Sequence, residues 1–176
     1  MEKTLESKLL HEGRHFSFLS DEVELPNGYR THRDIVRHPG AVAVVPVLPD
    51  GRVVMVRQYR YASGKELLEI PAGTLEPGEP VLDCARRELI EETGYEAGTL
   101  KPLLSCYMAP GYSSEMIHFF VARSLREALG EPEPDEEIAV ERLELEEVLG
   151  MIAENVIEDA KTIIGVLSLS KESARL

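Results

Sequence analysis

The sequence predicts an α/β protein: a mixed sheet with helices on both faces, an α/β/α sandwich, preceded by a small antiparallel β subdomain. Three observations predict it. Short alternating runs fill the first part of the chain, a block of continuous apolar strands follows, and helix-period segments then interleave with further strands. With 176 residues, 43% of them hydrophobic, the chain can build one sizeable core and a small appendage.

SKLLHEG, HFSFLSDEVEL and YRTHRDIV alternate around turn residues, and Pro26-Asn27-Gly28 is a hairpin signal. Residues 1–38 are therefore expected to form the antiparallel subdomain, and 39–176 the main domain. Pro39-Gly40 separates them and leads into AVAVVPVL, a run suited to a strand buried on both faces. Asp50-Gly51 turns the chain into RVVMVRQYR, so these two strands are expected to pair as a hairpin. KELLEIPAG reads as one strand, followed by an acidic loop. A helix is expected over Pro80 to Thr93, stopped by Gly94. PLLSCYM and EMIHFFVA are strands flanking the loop APGYSS. EPEPDEE is an acidic, Pro-broken loop expected to be mobile, EIAVERL is a strand, and LEEVLGMIAEN and EDAKTIIGVLSLS are helices.

Composition narrows the function classes. A net charge of -13 repels nucleic acid, whose binding depends on Lys and Arg neutralising phosphates. An acidic site accepts a phosphate-bearing ligand only where a metal ion inverts the local potential. Cys84 and Cys106 lack zinc-ligand spacing and make a poor disulfide framework, which points to a reducing compartment. MEKTLESKLLHEGRH has no apolar signal core, and no run of about 18 apolar residues could span a bilayer. The expectation is a cytoplasmic protein with neither membrane nor nucleic-acid partner.

The chemistry concentrates in GTLEPGEPVLDCARRELIEETGY, Gly73 to Tyr95. On a helix, Val81, Leu82, Ala85 and Leu89 form an apolar stripe expected to face the sheet. Glu88 and Glu92 lie on its border one turn apart, and Glu91 extends the acidic patch. Like charges at i and i+4 cost roughly 0.2 to 0.5 kcal/mol in an isolated helix, and more where water is partly excluded. A cation is expected to sit among them, and carboxylate oxygens suit Mg²⁺ or Mn²⁺. Arg87 and Glu91 are also spaced as a surface ion pair, and a small buried thiol is the expectation for Cys84.

The same segment fits G-x5-E-x7-R-E-U-x-E-E-x-G-U, where U is a bulky aliphatic residue, through Gly73, Glu79, Arg87, Glu88, Glu91, Glu92 and Gly94, with Leu89 at the first U and Tyr95 departing at the last. Seven fixed matches arise by chance on the order of once per 10⁸ starting points. The chain therefore resembles the Nudix hydrolases, and beyond the motif it resembles their ADP-ribose pyrophosphatases over almost its whole length.

The resemblance implies a Nudix fold and metal-dependent hydrolysis of the pyrophosphate bond of ADP-ribose, giving AMP and ribose 5-phosphate. Another nucleoside diphosphate sugar such as GDP-mannose, or an ADP-ribose-sensing module without catalysis, are the alternatives. It implies that Glu88, Glu92 and the carbonyl of Ala72 in LEIPAG hold metal, with Glu91 sharing a metal or serving structure. Gly73, Glu79, Arg87 and Gly94 would be structural, Arg87 orienting the glutamates. The base usually lies in an acidic loop, which here offers Glu137 first and Glu136 beside it; Glu115 in APGYSSE is the runner-up. Ala109 stands there in place of the usual serine. VRQYR implies that Arg60 reaches the diphosphate, and RDIVRHPG that Arg37 reaches it from a partner subunit. A homodimer with a shared active site is thus expected, because a small three-stranded sheet has too little core to stand alone.

Overall fold

The computed structural model describes residues 1–130 and 137–173, with side chains to Lys171. Its chain opens with β1 (Lys3–Glu12), β2 (Ser17–Glu24) and β3 (Arg30–Arg37), which form an antiparallel three-stranded sheet in that order. The Pro26-Asn27-Gly28 turn joins the last two. Gly28 N–H bonds the Leu25 carbonyl, and the Asn27 side-chain oxygen accepts the Tyr29 N–H at 3.0 Å.

A second, mixed sheet has the order β7-β4-β9-β8, built from β4 (Ala41–Pro46), β7 (Ala72–Thr74), β8 (Tyr95–Tyr107) and β9 (Met116–Glu127). β4 runs parallel to β9 and antiparallel to β7. Because side chains alternate along a strand, β4 feeds two cores. Val42 and Val44 face Cys84, Ala85 and Leu89 of α1 (Val81–Thr93), while Ala43 and Val45 join Val148 of α2 (Leu145–Ala153) and Val166 and Leu169 of α3 (Ala160–Ser173). The result is the expected α/β/α sandwich. Burying Leu89 completely is worth roughly 1.5 to 3 kcal/mol, which fixes α1 to the sheet.

A third sheet, β10-β5-β6, is antiparallel and comprises β5 (Val53–Arg60), β6 (Lys65–Glu69) and β10 (Ile138–Leu143). This corrects the expected hairpin. β4 and β5 do not pair with one another beyond an isolated bridge of Val47, just after β4, with Val53, and they enter different sheets. Both strands are apolar on both faces, so local pattern does not say with which neighbour each one pairs. KELLEIPAG is also two strands, not one: β6 ends at Glu69, and Pro71, which has no N–H to donate, leads into β7. Pro71 offers its carbonyl to Val44 N–H at 2.9 Å.

The α1 stripe needs one correction as well. Leu82 is 40% exposed, and Cys84 is buried in the face that meets the sheet. Gly94 ends the helix in the left-handed region at φ 70°, where it donates its N–H to Ile90 O. No helix among the described residues is long and apolar enough to cross a membrane.

Candidate active site

The Gly73–Tyr95 segment folds so that a strand end, a loop and the face of α1 meet. Gly73 lies in β7 directly against the Glu88 carboxylate. A Cβ there would come within 1.9 Å of the carboxyl carbon and one oxygen, so only glycine lets this acid approach the backbone. Glu92, 4% exposed, accepts the Ala72 N–H on Oε2 at 3.0 Å. Two acids of one helix thus meet consecutive residues of the strand beside it, Glu92 by a hydrogen bond and Glu88 by close packing.

Arg87 holds the remaining acids. Its Nε and Nη2 donate to Glu79 at 2.9 and 3.0 Å, and its Nη1 donates to Glu88 at 2.7 Å and Glu91 at 2.9 Å. The bidentate bond from Arg87 lowers the Glu79 carboxyl to about 2, and Glu79 in turn accepts the Glu76 N–H, which closes the loop before the helix. Burial pushes the Cys84 thiol up to about 12, so it stays protonated and unreactive.

Three carboxylates around one guanidinium leave an excess of negative charge, and two of them, Glu88 and Glu91, face a cleft of about 820 Å³. Glu88 and Glu91 line the cleft, as do Ala72, Gly73 and Arg87. Among the described residues, no three His, Cys, Asp or Glu side chains cluster closely enough to hold a metal by themselves. The donor set still fits Mg²⁺ or Mn²⁺. These ions take hard oxygens and keep several waters, so one or two carboxylates plus a carbonyl and substrate oxygens suffice.

Arg60 and Glu137 line the same cleft. Arg60 is anchored from behind by Glu69, with Nε to Oε1 at 2.8 Å and Nη2 to Oε2 at 2.6 Å. Burial pushes Glu69 up, but bonds from Arg60 and Lys161 outweigh it and hold the carboxyl below its usual range. Of the other expected residues, Glu92, Glu115 and Arg37 are not in the lining. Glu92 is not itself among the cleft-lining residues but adjoins the site through its bond to the N–H of Ala72, which is. Glu115 stands near His38 and is not among the cleft-lining residues. Arg37 is exposed at the end of β3 and is likewise not in the lining. Glu136 and most of the acidic loop fall outside the described residues.

Several lining residues were not legible beforehand. Arg14 and His15, in the turn between β1 and β2, reach the cleft, and Gln58 and Tyr59 join it beside Arg60. A lone Gly-Arg-His turn carries no signal of reach, because a long-range approach brings it there. Glu69 had a faint signal: an acid placed inside the apolar string LLEIP.

With this geometry established, comparison with known proteins identifies the class. The NUDIX domain model matches residues 37–164, and the chain belongs to the Nudix family. It is 43% identical to the methanol dehydrogenase activator of Bacillus methanolicus over 175 residues, covering 98% of this chain and 95% of that protein. It is 39% identical to the ADP-ribose pyrophosphatase of Bacillus subtilis (strain 168) over 175 residues, with the same coverage of 98% and 95%. A crystal structure of an ADP compounds hydrolase superposes with a TM-score of 0.85 at 25% identity, covering 97% of this chain and 92% of that one.

Proposed function

We propose that this Nudix protein hydrolyses the pyrophosphate bond of ADP-ribose, releasing AMP and ribose 5-phosphate. One observation carries the reading: the acidic wall of Glu88 and Glu91 shares a cleft with Arg60 and Glu137. A diphosphate is doubly anionic, and such a cleft can hold it between an arginine and a cation bound on the acidic wall. The likeness to an ADP-ribose pyrophosphatase over 98% of the chain, together with that to an ADP compounds hydrolase, supports an ADP-sugar.

Glu88, Glu92 and the Ala72 carbonyl would hold Mg²⁺ or Mn²⁺, with Glu91 sharing it. When bound, the metal polarises phosphoryl oxygens and lowers the pKa of water. Arg60 donates its fork to the diphosphate and fixes its orientation. Water attacks one phosphorus in line, the bridging P–O bond breaks, and Glu137 accepts the water's proton. Glu136 and Glu115 are the other candidates for that base. Gly73, Glu79, Arg87 and Gly94 shape the loop and helix that carry these groups.

The proposal includes a homodimer with a composite site, in which Arg37 reaches the partner's nucleotide. β1 is exposed along its whole length, and Leu9, Phe16 and Phe18 leave apolar surface uncovered on the small sheet. At its far end β3 docks on its own chain instead, with Val36 N–H to Tyr112 O at 2.8 Å and Ser114 N–H to Val36 O at 3.0 Å.

The test is release of monophosphate products from ADP-ribose, GDP-mannose, NADH and diadenosine polyphosphates, with Mg²⁺, with Mn²⁺ and with EDTA. ADP-ribose is expected to turn over fastest and only with metal. Preference for GDP-mannose would overturn the substrate, and tight ADP-ribose binding without turnover would mark a sensing module.

A further inference from the structure

We propose that Lys161, in the first turn of α3, is a positioning residue for Arg60 that acts through the buried carboxylate of Glu69. The inference rests on the reading of Arg60 as the diphosphate-binding arginine.

Arg60, Glu69, Lys161 and Asp159 form a chain of alternating charge leading away from the cleft. Arg60 grips both oxygens of Glu69, Lys161 donates to the same Glu69 Oε2, and Lys161 also pairs with Asp159 at 3.0 Å. Glu69 is 1% exposed, so water does not screen it, and Lys161 is 13% exposed. The back of the chain is tied into the fold. Thr162 donates its hydroxyl to Asp159 at 2.6 Å and accepts the Ile70 N–H at 2.9 Å, tying α3 to the residue that follows Glu69 at the end of β6. α3 can lie this close because Gly165 faces the sheet: a Cβ there would stand 2.7 Å from Ile70 Cδ1 and 3.0 Å from Val45 Cγ2.

This arrangement exceeds what stability requires. A single bidentate arginine satisfies a buried carboxylate, and further buried charges cost desolvation that well-packed apolar residues would avoid. The second cation has an electrostatic consequence instead. Paired with Glu69 alone, Arg60 would be nearly neutralised, with little attraction left for an anion. With Lys161 sharing Glu69, the carboxylate's charge is divided between two cations. Arg60 then keeps both a fixed orientation and more of its pull on a phosphate in the cleft. Asp159, at the far end, tempers Lys161.

The signs of two substitutions follow from this order. Lys161→Met should weaken binding of inorganic pyrophosphate and raise KM for ADP-ribose by about tenfold, the scale of one unit charge acting over about 10 Å at an effective dielectric near 20, with kcat within about threefold of wild type. Lys161→Arg should restore both. Asp159→Asn keeps an oxygen for Thr162 but removes the tempering charge, so it should tighten pyrophosphate binding. The experiment is calorimetric titration of the full chain with pyrophosphate, with and without Mg²⁺, alongside ADP-ribose kinetics and melting curves. A merely structural role would weaken binding in both Lys161→Met and Asp159→Asn and lower kcat together with melting temperature. That outcome overturns the inference, as does Lys161→Met with wild-type binding. If Lys161→Met does not fold, the sign of Asp159→Asn decides. Arg60→Ala separates the two levels. Unchanged pyrophosphate binding in that variant removes the Arg60 assignment and this inference together, whereas weakened binding there with none in Lys161→Met removes this inference alone. A pyrophosphate response as expected in a protein that does not cleave ADP-ribose supports the positioning role and sinks the substrate.

Discussion

Substituting Gly73 tests whether the close packing of strand and helix is what places the acidic wall. A Cβ at this position would lie 1.9 Å from the Glu88 carboxyl, while ordinary contact begins at 3.4 Å, so the carboxylate must retreat by about 1.5 Å. Glu88 is the far end of a flexible side chain, and α1 stays fixed by Cys84, Ala85 and Leu89, so the retreat is a rotamer change and not a refolding. It should cost roughly 0.5 to 1.5 kcal/mol of stability. Function should suffer much more, since a misplacement of about 1 Å costs on the order of 10²-fold in rate. Gly73→Ala is therefore expected to lower kcat for ADP-ribose at least about 100-fold and to shift the melting temperature by only a few degrees. Initial rates across a Mg²⁺ titration, with circular dichroism melts on the same samples, measure both. Activity within about threefold of wild type at matched Mg²⁺ would refute the argument, since Glu88 could then leave its position without consequence.

Glu92→Gln should lower turnover by about two orders of magnitude or more with the fold intact, because the amide oxygen still accepts the Ala72 N–H but binds a hard dication poorly; steady-state rates and circular dichroism check it. Glu91→Gln should cost less, and an equal loss in the same assay would reverse the ranking of the two acids. Glu79 is held at about 2 in the fold against 4.5 ordinarily, so its contribution is fully present above pH 4.5 and is lost as pH falls toward 2. Urea unfolding of Glu79→Gln at pH 7 should show a loss of roughly 1 to 2 kcal/mol after screening by water, and this difference should shrink at pH 3. Glu137→Gln should depress kcat and leave KM nearly unchanged; that phenotype in Glu115→Gln alone would move the base to the 109–115 loop. Sedimentation should give a dimer, and mixing inactive Arg37→Ala with inactive Glu92→Gln should rebuild some active sites; an active monomer would eliminate the shared site.

What was legible in the sequence is what a short window encodes. The α1 helix, its Gly94 stop and the placement of Glu88, Glu91 and Glu92 on adjoining faces follow from a period of 3.6 residues, and no distant contact is needed to set them. The alternating runs of the small sheet, and the helices α2 and α3, are local in the same sense. Pairing is not. β4 and β5 are both apolar on both faces, and only the assembled core decides that one lies between β7 and β9 and the other between β10 and β6. The Leu82 error has the same origin: the helical stripe is wide, and the sheet's position selects Cys84 over Leu82 for burial. The approach of the Arg14-His15 turn to the cleft, and of Lys161 to Glu69 across 92 positions, likewise exists only in the folded chain. A charged side chain announces its charge in sequence, but its partner is chosen by which backbones the fold brings together.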